Sequence, residues 1–257
     1  MEPLLTITAS NKNRLDLNSP ATQWFIKSIQ WQDYDNFELL IVDSDSKNYE
    51  ELKTYFSSNK FKIPIRIIQH KIDLFSRSEL NNVGIRNARG QWIGCTDVDM
   101  VYAKNFVSTV VRASEKNCLI VSRTMYWKKA LQDKIYSGAL DFLNNIDSCK
   151  VGKIKKRSSA GGFEYMHIES WSKVRGFDEK YRVWGSEDRD LLTRTEMAGI
   201  KTKWLGENIE TIMLFHQEHI KKDIKNDLEW QEKNKKLLNN IKDYRANLSG
   251  GWGGIKD

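Results

Sequence analysis

Apolar runs and amphipathic segments alternate regularly through the first hundred residues of this chain of 257 residues. Apolar runs that are typical of buried strands cover residues 4–9, 37–43, 63–69 and 91–96. Helical patterns lie between them at residues 19–29, 49–56 and 78–88, and the first of these begins with a cap residue followed by Pro20. The alternation predicts an α/β fold with a mainly parallel central sheet flanked by helices.

The pattern after residue 100 is mixed, with no internal repeat and no clear linker. Helices are predicted at residues 105–113, 130–145, 188–198 and 227–247, and strands at 118–122, 204–205 and 209–215. A glycine pair, Gly161-Gly162, leads into a further strand. Residues 248–254 are rich in glycine and are expected to form a flexible tail. We therefore predict one domain with a C-terminal helical extension.

Composition restricts the cellular setting and the partners. No stretch reaches the roughly 20 apolar residues of a membrane span, and the N-terminus lacks the pattern of a signal peptide. Cys95 and Cys118 lie in apolar runs and, with Cys149, make an odd number, which favours reduced thiols. These features predict a cytoplasmic protein, with peripheral contact at the inner membrane face as an alternative.

The net charge of +7 includes a run at residues 150–157 with five cations and no anion. Such a run is most often a solvated loop, but it could also contact phosphates, anionic lipid or an acidic glycan. No known nucleic-acid-binding motif is present, and the aromatic residues are not interleaved with the basic run. A nucleic-acid partner is therefore not expected.

Acidic residues stand at the ends of predicted strands. Asp43, Asp97 and Asp99 follow two apolar runs, and His216 ends another run of strand-forming residues. Open α/β sheets bind ligands at the carboxyl ends of their strands, and carboxylate oxygens suit magnesium or manganese. An Asp-x-Asp pair alone is more often a solvated turn, but together with His216 it predicts a divalent cation site.

A second acidic group follows an aromatic residue in the segment from Trp184 to Asp190. Glu187, Asp188 and Asp190 could remove a proton from a substrate, while the indole stacks on a sugar ring. The alternative is that these acids only stabilise a helix N-terminus. Asp190 is expected to cap or brace the helix that starts here.

These motifs, taken in order, resemble inverting glycosyltransferases of the GT-A fold, near the β-1,4-galactosyltransferases and the bacterial chondroitin polymerases. The matching segments are Phe75-Ser-Arg77, Asn82-Val-Gly84, Asp97-Val-Asp99, Gly161-Gly162, Gly176-Phe-Asp-Glu179, Trp184-Gly-x-Glu-Asp-x-Asp190 and Met213-x-x-His216. The resemblance covers residues 4–220. It implies a Rossmann-like GT-A domain at residues 1–220, with a nucleotide-sugar half at 1–102 and an acceptor and metal half at 103–220. Residues 221–257 form the charged C-terminal helix and the Gly-rich tail.

The resemblance also implies roles for individual residues. Asp99, His216 and Met213 would hold Mn²⁺, with Mg²⁺ as an alternative. Asp188 would be the general base, and Glu187 would orient the acceptor in a site that includes Trp184 and Gly185. The donor site would consist of Thr8, Ala9, Asp43, Phe75, Arg77, Asp97, Val98, Ser159 and Gly162. For Arg77, a surface ion pair with Glu79 remains the alternative to a role beside the donor's diphosphate.

The implied activity is a metal-dependent, inverting transfer of a hexose or an N-acetylhexosamine from a UDP-sugar to a glycan or lipid-linked acceptor, with a β-linkage in the product. GalNAc or Gal is the favoured sugar. Galactose-using relatives carry a tyrosine two residues before the glycine pair, and the small Ser159 found here leaves room for an N-acetyl group. A catalytically inactive relative that binds glycans or nucleotides is the alternative. A sugar nucleotidyltransferase is disfavoured, because no glycine-rich nucleotide loop follows the first strand.

Overall fold

The computed structural model of the chain describes residues 4–142, 162–206, 214–217 and 224–254. The strands in these ranges are β1 (Leu5–Asn11), β2 (Phe37–Asp43), β3 (Ile65–Gln69), β4 (Trp92–Asp97), β5 (Met100–Tyr102), β6 (Cys118–Ser122), β7 (Met125–Tyr126), β8 (Phe163–His167), β9 (Lys201–Leu205) and β10 (Leu214–His216). The helices in the same ranges are α1 (Pro20–Gln30), α2 (Tyr49–Ser58), α3 (Arg77–Asn87), α4 (Phe106–Ala113), α5 (Lys129–Tyr136), α6 (Ile168–Val174), α7 (Glu187–Met197) and α8 (Ile224–Leu238).

The larger sheet has the strand order β3-β2-β1-β4-β8-β6-β9. The strands from β3 to β4 run parallel, β8 runs antiparallel to both β4 and β6, and β9 runs parallel to β6. Every residue of β1 and β2 is buried, as is usual for parallel strands that are covered on both faces. The prediction of a mainly parallel sheet flanked by helices is confirmed.

Helices cover both faces of this sheet, and the two-residue period of β2 shows how. Leu39 and Ile41 pack in one cluster with Phe25 of α1. The intervening Leu40 and Val42 pack on the opposite face, in a cluster to which α3 contributes. The sheet therefore separates two apolar cores.

A second, smaller sheet has the order β5-β10-β7. β10 runs antiparallel to β5 and parallel to β7. In this register His216 lies opposite Met100, which is the residue that follows Asp99 in the sequence. The small sheet thus brings the predicted histidine to the end of β4, where the predicted acidic residues stand.

Several predicted boundaries differ from the structure. The helix predicted over residues 227–247 ends at Leu238, where two asparagines follow, and asparagine is a poor helix former. The helix predicted over 130–145 is α5, which ends at Tyr136, and β1 extends to Asn11 rather than ending at residue 9. α6, β5 and β7 were not predicted, because such short elements carry little periodicity.

The Gly-rich tail was expected to be flexible, but its described part packs against the rest of the chain. Trp252 is buried in a cluster with Trp171 of α6. The backbone N–H of Gly253 donates to Glu179 Oε1 at 2.7 Å. Gly253 has a φ of 63°, and a Cβ there would lie 2.5 Å from the carbonyl oxygen of Asn82. The expectation was wrong because burial of the indole holds the tail, while glycine permits the close approach.

Cys95 and Cys118 are buried and form no disulfide, which agrees with the prediction of reduced core thiols. Cys149 lies outside the described residues. None of the described helices is long and apolar enough to cross a membrane.

Candidate active site

Three neighbouring strands end in polar residues at one edge of the large sheet. Asn11 of β1 lies opposite Asp43 of β2, and Ser10 lies opposite Asp97 of β4. Asp43 is fully buried, and it accepts hydrogen bonds from Asn11 Nδ2 at 2.6 Å and from the backbone N–H of Ser46 at 2.8 Å. The structure therefore brings Asp43 and Asp97 to the same edge, where open α/β sheets bind ligands.

Thr8 and Ala9 lie deeper than the sequence indicated. Both are fully buried within β1, and Asn11 rather than Ala9 ends the strand. Thr8 packs against α3 at Gly84, where any Cβ would overlap the Thr8 hydroxyl. Their part in the donor site remains a prediction, and in this structure the strand end beside Asp43 is formed by Asn11.

Arg77 lies at the centre of the site. It is the first residue of α3, just after Ser76, whose side chain accepts a hydrogen bond from the backbone N–H of Glu79 and caps the helix. Arg77 Nε donates to Asp97 Oδ1 at 2.7 Å, and Nη1 donates to Asp188 Oδ1 at 2.7 Å. Glu79 instead bonds to the side chains of His70 and Arg182. Arg77 is therefore a buried cation that joins two elements of the site, not a surface partner of Glu79.

Two further carboxyl groups surround the same guanidinium. Arg77 Nη2 donates to Glu164 Oε2 at 3.3 Å, and Nη1 lies 3.9 Å from Glu187 Oε1. Burial by itself lowers the pKa of Arg77, but the carboxylates outweigh it and raise this pKa well above its usual value. Burial and the nearby charge of Asp188 raise the pKa of Glu187 to about 7. Burial likewise raises the pKa of Asp97, although the charge of Arg77 opposes it.

Glu164 is the functional candidate that the sequence interpretation missed. It lies in the middle of β8, which is buried at every position. A carboxyl group inside an otherwise apolar strand is itself a signal, because acidic residues are almost never fully buried without a partner. The partner, Arg77, is 87 residues away in the sequence, so no local pattern indicates the pair.

The turn before α7 directs the acidic side chains toward Arg77. Val183, Gly185 and Ser186 have φ values of 61°, 101° and 77°, and a positive φ is uncommon for a residue other than glycine. The backbone N–H of Val183 donates to the carbonyl of Phe75 at 2.8 Å, just before α3. Trp184 is 51% exposed within this turn. Trp184 and Gly185 thus lie in the turn that leads into the carboxylates of α7, and their part in the acceptor site remains a prediction.

Asp190 does not take part in the acidic cluster. Its carboxylate pairs with Arg194 at 2.6 Å inside α7, and Tyr181 donates to it at 3.3 Å. Arg194 Nη1 donates in turn to the carbonyl oxygens of Val174 and Gly176. Asp190 therefore braces the helix, which is the part that the sequence assigned to it.

Asp99 and His216 form a separate pair at the end of β4. His216 Nε2 lies 3.6 Å from Asp99 Oδ1, and the imidazole stacks on Tyr126 with 4.7 Å between the ring centroids. The backbone N–H of Gln217 donates to the carbonyl of Asp99 at 3.0 Å. Arg14 Nη1 lies 3.7 Å from Asp99 Oδ2. The small sheet therefore holds the two side chains next to each other.

This pair fits two ligands of one divalent cation. A separation of 3.6 Å is long for a hydrogen bond, and two donor atoms that each lie about 2.0–2.2 Å from one metal ion can be this far apart. Within the described ranges, no three His, Cys, Asp or Glu residues form a complete metal site. Met213, the third predicted ligand, lies outside the described residues.

The remaining residues that were predicted for the donor site differ in how deeply they are buried. Phe75 packs partly buried against the α3 side of the sheet, and Val98 is buried in the main core. Gly162 is buried, its carbonyl accepts from Thr96 Oγ1 at 3.0 Å, and a Cβ there would overlap Thr124 Oγ1. Ser159 lies outside the described residues.

The sequence of the chain is similar to those of two synthases. The chain is 25% identical over 229 residues to a hyaluronan synthase of Pasteurella multocida, covering 75% of this chain and 22% of that protein. It is 21% identical over 217 residues to a chondroitin synthase of Escherichia coli, covering 71% of this chain and 30% of that protein. The chain thus spans less than a third of the length of these relatives.

Two solved structures share the fold. One is S. aureus TarS, residues 1–349, in complex with UDP-GlcNAc, with a TM-score of 0.57 and 12% identity over 85% of this chain and 59% of that one. The other is the mannosyltransferase PcManGT from Pyrobaculum calidifontis in complex with GDP-Man and Mn²⁺, with a TM-score of 0.58 and 16% identity over 89% of this chain and 60% of that one.

The model of the family described as "Glycosyl transferase family 2" matches residues 12–221, which include both acidic clusters and His216. This match covers most of the chain. The protein is therefore a glycosyltransferase with the GT-A fold and belongs to glycosyl transferase family 2.

Proposed function

We propose that this chain is a metal-dependent, inverting glycosyltransferase that moves a hexose or an N-acetylhexosamine from a UDP-sugar to a glycan or glycolipid acceptor. The product would carry a β-linkage, and GalNAc or Gal is the favoured sugar. One observation carries the proposal: Arg77 joins the Asp188 carboxylate, which is 21% exposed, to Asp97, and Asp97 stands two residues before Asp99 of the Asp99–His216 pair. A base and a cation site beside one another are what direct displacement at a sugar phosphate requires.

Asp99 and His216 would hold the metal ion, with Met213 as the third protein ligand. A carboxylate oxygen together with an imidazole nitrogen favours Mn²⁺, with Mg²⁺ as the alternative. Such an ion, when bound, supplies positive charge that stabilises the departing diphosphate. The mannosyltransferase with a similar fold was solved with Mn²⁺ and a nucleotide-sugar, which supports this part of the proposal.

Asp188 would act as the general base in a single displacement. Its carboxylate takes the proton of the acceptor hydroxyl while that oxygen bonds to the anomeric carbon. The bond from the anomeric carbon to the diphosphate breaks in the same step, UDP leaves, and the configuration inverts. Glu187 holds the acceptor hydroxyl by a hydrogen bond, and Trp184 stacks on the acceptor sugar. Arg77 provides positive charge next to the diphosphate.

The proposals for the acceptor and the donor sugar depend on residues 150–157 and on Ser159, which lie outside the described residues. The cationic run at residues 150–157 favours an anionic or lipid-linked acceptor. The two synthases to which the chain is similar make polysaccharides according to their names, which supports a glycan acceptor. A screen of UDP-sugars with Mn²⁺, read as UDP release, would identify the donor.

The decisive experiment replaces Asp188 by asparagine. Asp188→Asn keeps the shape of the side chain but removes its basicity, so the transfer rate should fall by about 10²–10⁴-fold while the Kd for the UDP-sugar stays nearly unchanged. Glu196→Gln is a matched control, because Glu196 is an exposed acid on the same helix.

Three results would count against the proposal. Wild-type turnover in Asp188→Asn together with an inactive Glu187→Gln variant would mean that the two roles are reversed. Retention of the donor's α-configuration in the product, seen by NMR, would exclude a single displacement. Tight binding of UDP-sugars without transfer or hydrolysis would favour the catalytically inactive alternative.

A further inference from the structure

Within the part of the chain that the structure describes, the carboxyl groups around Arg77 outnumber the positive charges that face them. One guanidinium faces Asp97, Glu164, Glu187 and Asp188. If all four acids were ionised, this partly buried cluster would carry a net charge of −3, that is +1 from the arginine and −4 from the acids. Uncompensated charges of this kind cost several kcal/mol each to bury. Without a bound cation beside it, the cluster is expected to hold protons.

Burial decides which of the four acids hold these protons. The side chain of Glu164 is 0% exposed, whereas those of Asp97 and Asp188 are 31% and 21% exposed. Water can solvate the two aspartates as anions, but it cannot reach Glu164. Burial, with the charges of Asp188 and Asp97 acting in the same direction, raises the pKa of Glu164 well above its usual value, although Arg77 opposes this.

The hydrogen bonds around Glu164 fit a neutral acid. Glu164 Oε2 accepts from Arg77, whereas Oε1 is buried and meets no hydrogen-bond donor among the described residues. An ionised oxygen without a donor would be costly in this position, but a protonated carboxyl needs an acceptor instead. Arg77 binds Asp188 through Nη1 and Glu164 through Nη2, which brings the two carboxyl groups to one guanidinium. The Asp188 carboxylate can therefore accept a hydrogen bond from a protonated Glu164.

The position of Glu164 in the fold makes this arrangement rigid. β8 lies between β4 and β6, and the backbone of Glu164 is paired with Cys95 on one side and Val121 on the other. Among the described residues, the titratable or charged groups that act on Glu164 are Arg77 from α3, Asp97 and the Cys95 thiol from β4, and Asp188 from α7. Glu187 of α7 faces the same guanidinium. Burial raises the pKa of the Cys95 thiol well above its usual value, so the thiol adds no charge.

We propose that Glu164 is a positioning residue for Asp188: a neutral carboxylic acid that donates a hydrogen bond to the Asp188 carboxylate and, together with Arg77, holds it ionised and in one orientation. The inference rests on the proposed function, in which Asp188 takes the acceptor proton. A donor to the ionised form of a carboxyl stabilises that form. Glu164 thus keeps Asp188 able to accept a proton without touching the substrate itself.

Two substitutions separate this role from a purely structural one. Glu164→Gln keeps a donor for Asp188 and an acceptor for Arg77, so kcat should stay within about 3-fold of wild type, with an unchanged pH profile. Glu164→Met has a similar shape without a donor. Its kcat should fall by about 10-fold or more, its donor KM should stay within about 2-fold, and the acidic limb of its kcat profile should move to higher pH.

Kinetics could overturn the proposal in two ways. An equal loss in Glu164→Gln and Glu164→Met would mean that an ionised carboxylate is needed at this position. Wild-type kcat and an unshifted acidic limb in Glu164→Met would mean that Asp188 does not depend on Glu164. If Glu164→Met does not fold, as judged by circular dichroism, Glu164→Gln decides: a loss of more than about 10-fold refutes the neutral acid, because a neutral amide should replace it.

A second measurement does not depend on activity. Infrared spectra of the protein with ¹³C-labelled glutamate at pH 8 should contain the carbonyl stretch of a protonated carboxyl, and this band should disappear in Glu164→Gln. Absence of the band in the wild type would overturn the proposal. If the wild type transfers no sugar from any donor but shows the band, the proposed function fails and the hydrogen bond between Glu164 and Asp188 stands.

Discussion

Glu187 gives the clearest prediction about the stability of the fold. Its side chain is 7% exposed, 3.9 Å from the guanidinium of Arg77. Burial first, and then the charge of Asp188, raise its pKa from 4.5 to about 7. The native state therefore keeps a proton that the unfolded chain releases above pH 4.5, so this group contributes less to the free energy of unfolding as the pH rises toward 7.

The size of this effect follows from the shift. A displacement from 4.5 to about 7, at about 1.4 kcal/mol per pKa unit, gives an upper limit of roughly 3 kcal/mol. Most of it, about 2–3 kcal/mol, is lost between pH 5 and pH 8. Glu187→Gln carries no titrating group at this position and should escape the loss. Its stability relative to wild type should therefore increase by about that amount from pH 5 to pH 8.

Urea unfolding at half-unit pH intervals measures this difference directly. Glu196→Gln, which removes an exposed acid from the same helix, is the control and should follow the wild-type curve. If Glu187→Gln shows the same pH dependence as the wild type, Glu187 does not keep its proton in the native state, and the charge distribution described for the Arg77 cluster is wrong.

Three further predictions concern the packing of α3, the turn before α7 that contains Trp184, and the choice of donor sugar. Gly84→Ala should lower the free energy of unfolding by about 1–3 kcal/mol, because the new methyl group overlaps the Thr8 hydroxyl. Gly250→Ala is the control for urea unfolding and should change this free energy little, since a Cβ there has nothing within 4 Å. Asn234 donates to the carbonyl oxygens of Arg182 and Trp184 at 2.9 and 3.2 Å and so holds the turn that contains Trp184. Asn234→Ala should therefore raise the acceptor KM several-fold and leave the donor Kd unchanged, and an equal change in both constants would contradict this. Ser159→Tyr should shift preference from UDP-GalNAc toward UDP-Gal by about 10–200-fold; competition kinetics would show an unchanged ratio if this position does not select the donor.

The sequence determined the parallel half of the sheet and the location of its acidic residues. Buried parallel strands read as continuous apolar runs, and their carboxyl ends must meet at one edge. Asp43, Asp97 and Asp99 could therefore be assigned to a common site without a structure. Asp190 could be read as a brace for its own helix, because its partner Arg194 lies one turn away.

Only the tertiary structure decided how charge is distributed within the site. Arg77 contacts carboxylates that are 20, 87 and 111 residues away in the sequence, and no local pattern encodes such a meeting. The packing of the C-terminal tail could not be predicted either. Its glycines indicate a flexible segment, and only the folded chain shows that Trp252 is buried in an apolar cluster. Local periodicity specifies elements and their ends. The pairing of distant side chains, and with it the protonation of Glu164 and Glu187, depends on burial that exists only after the chain has folded.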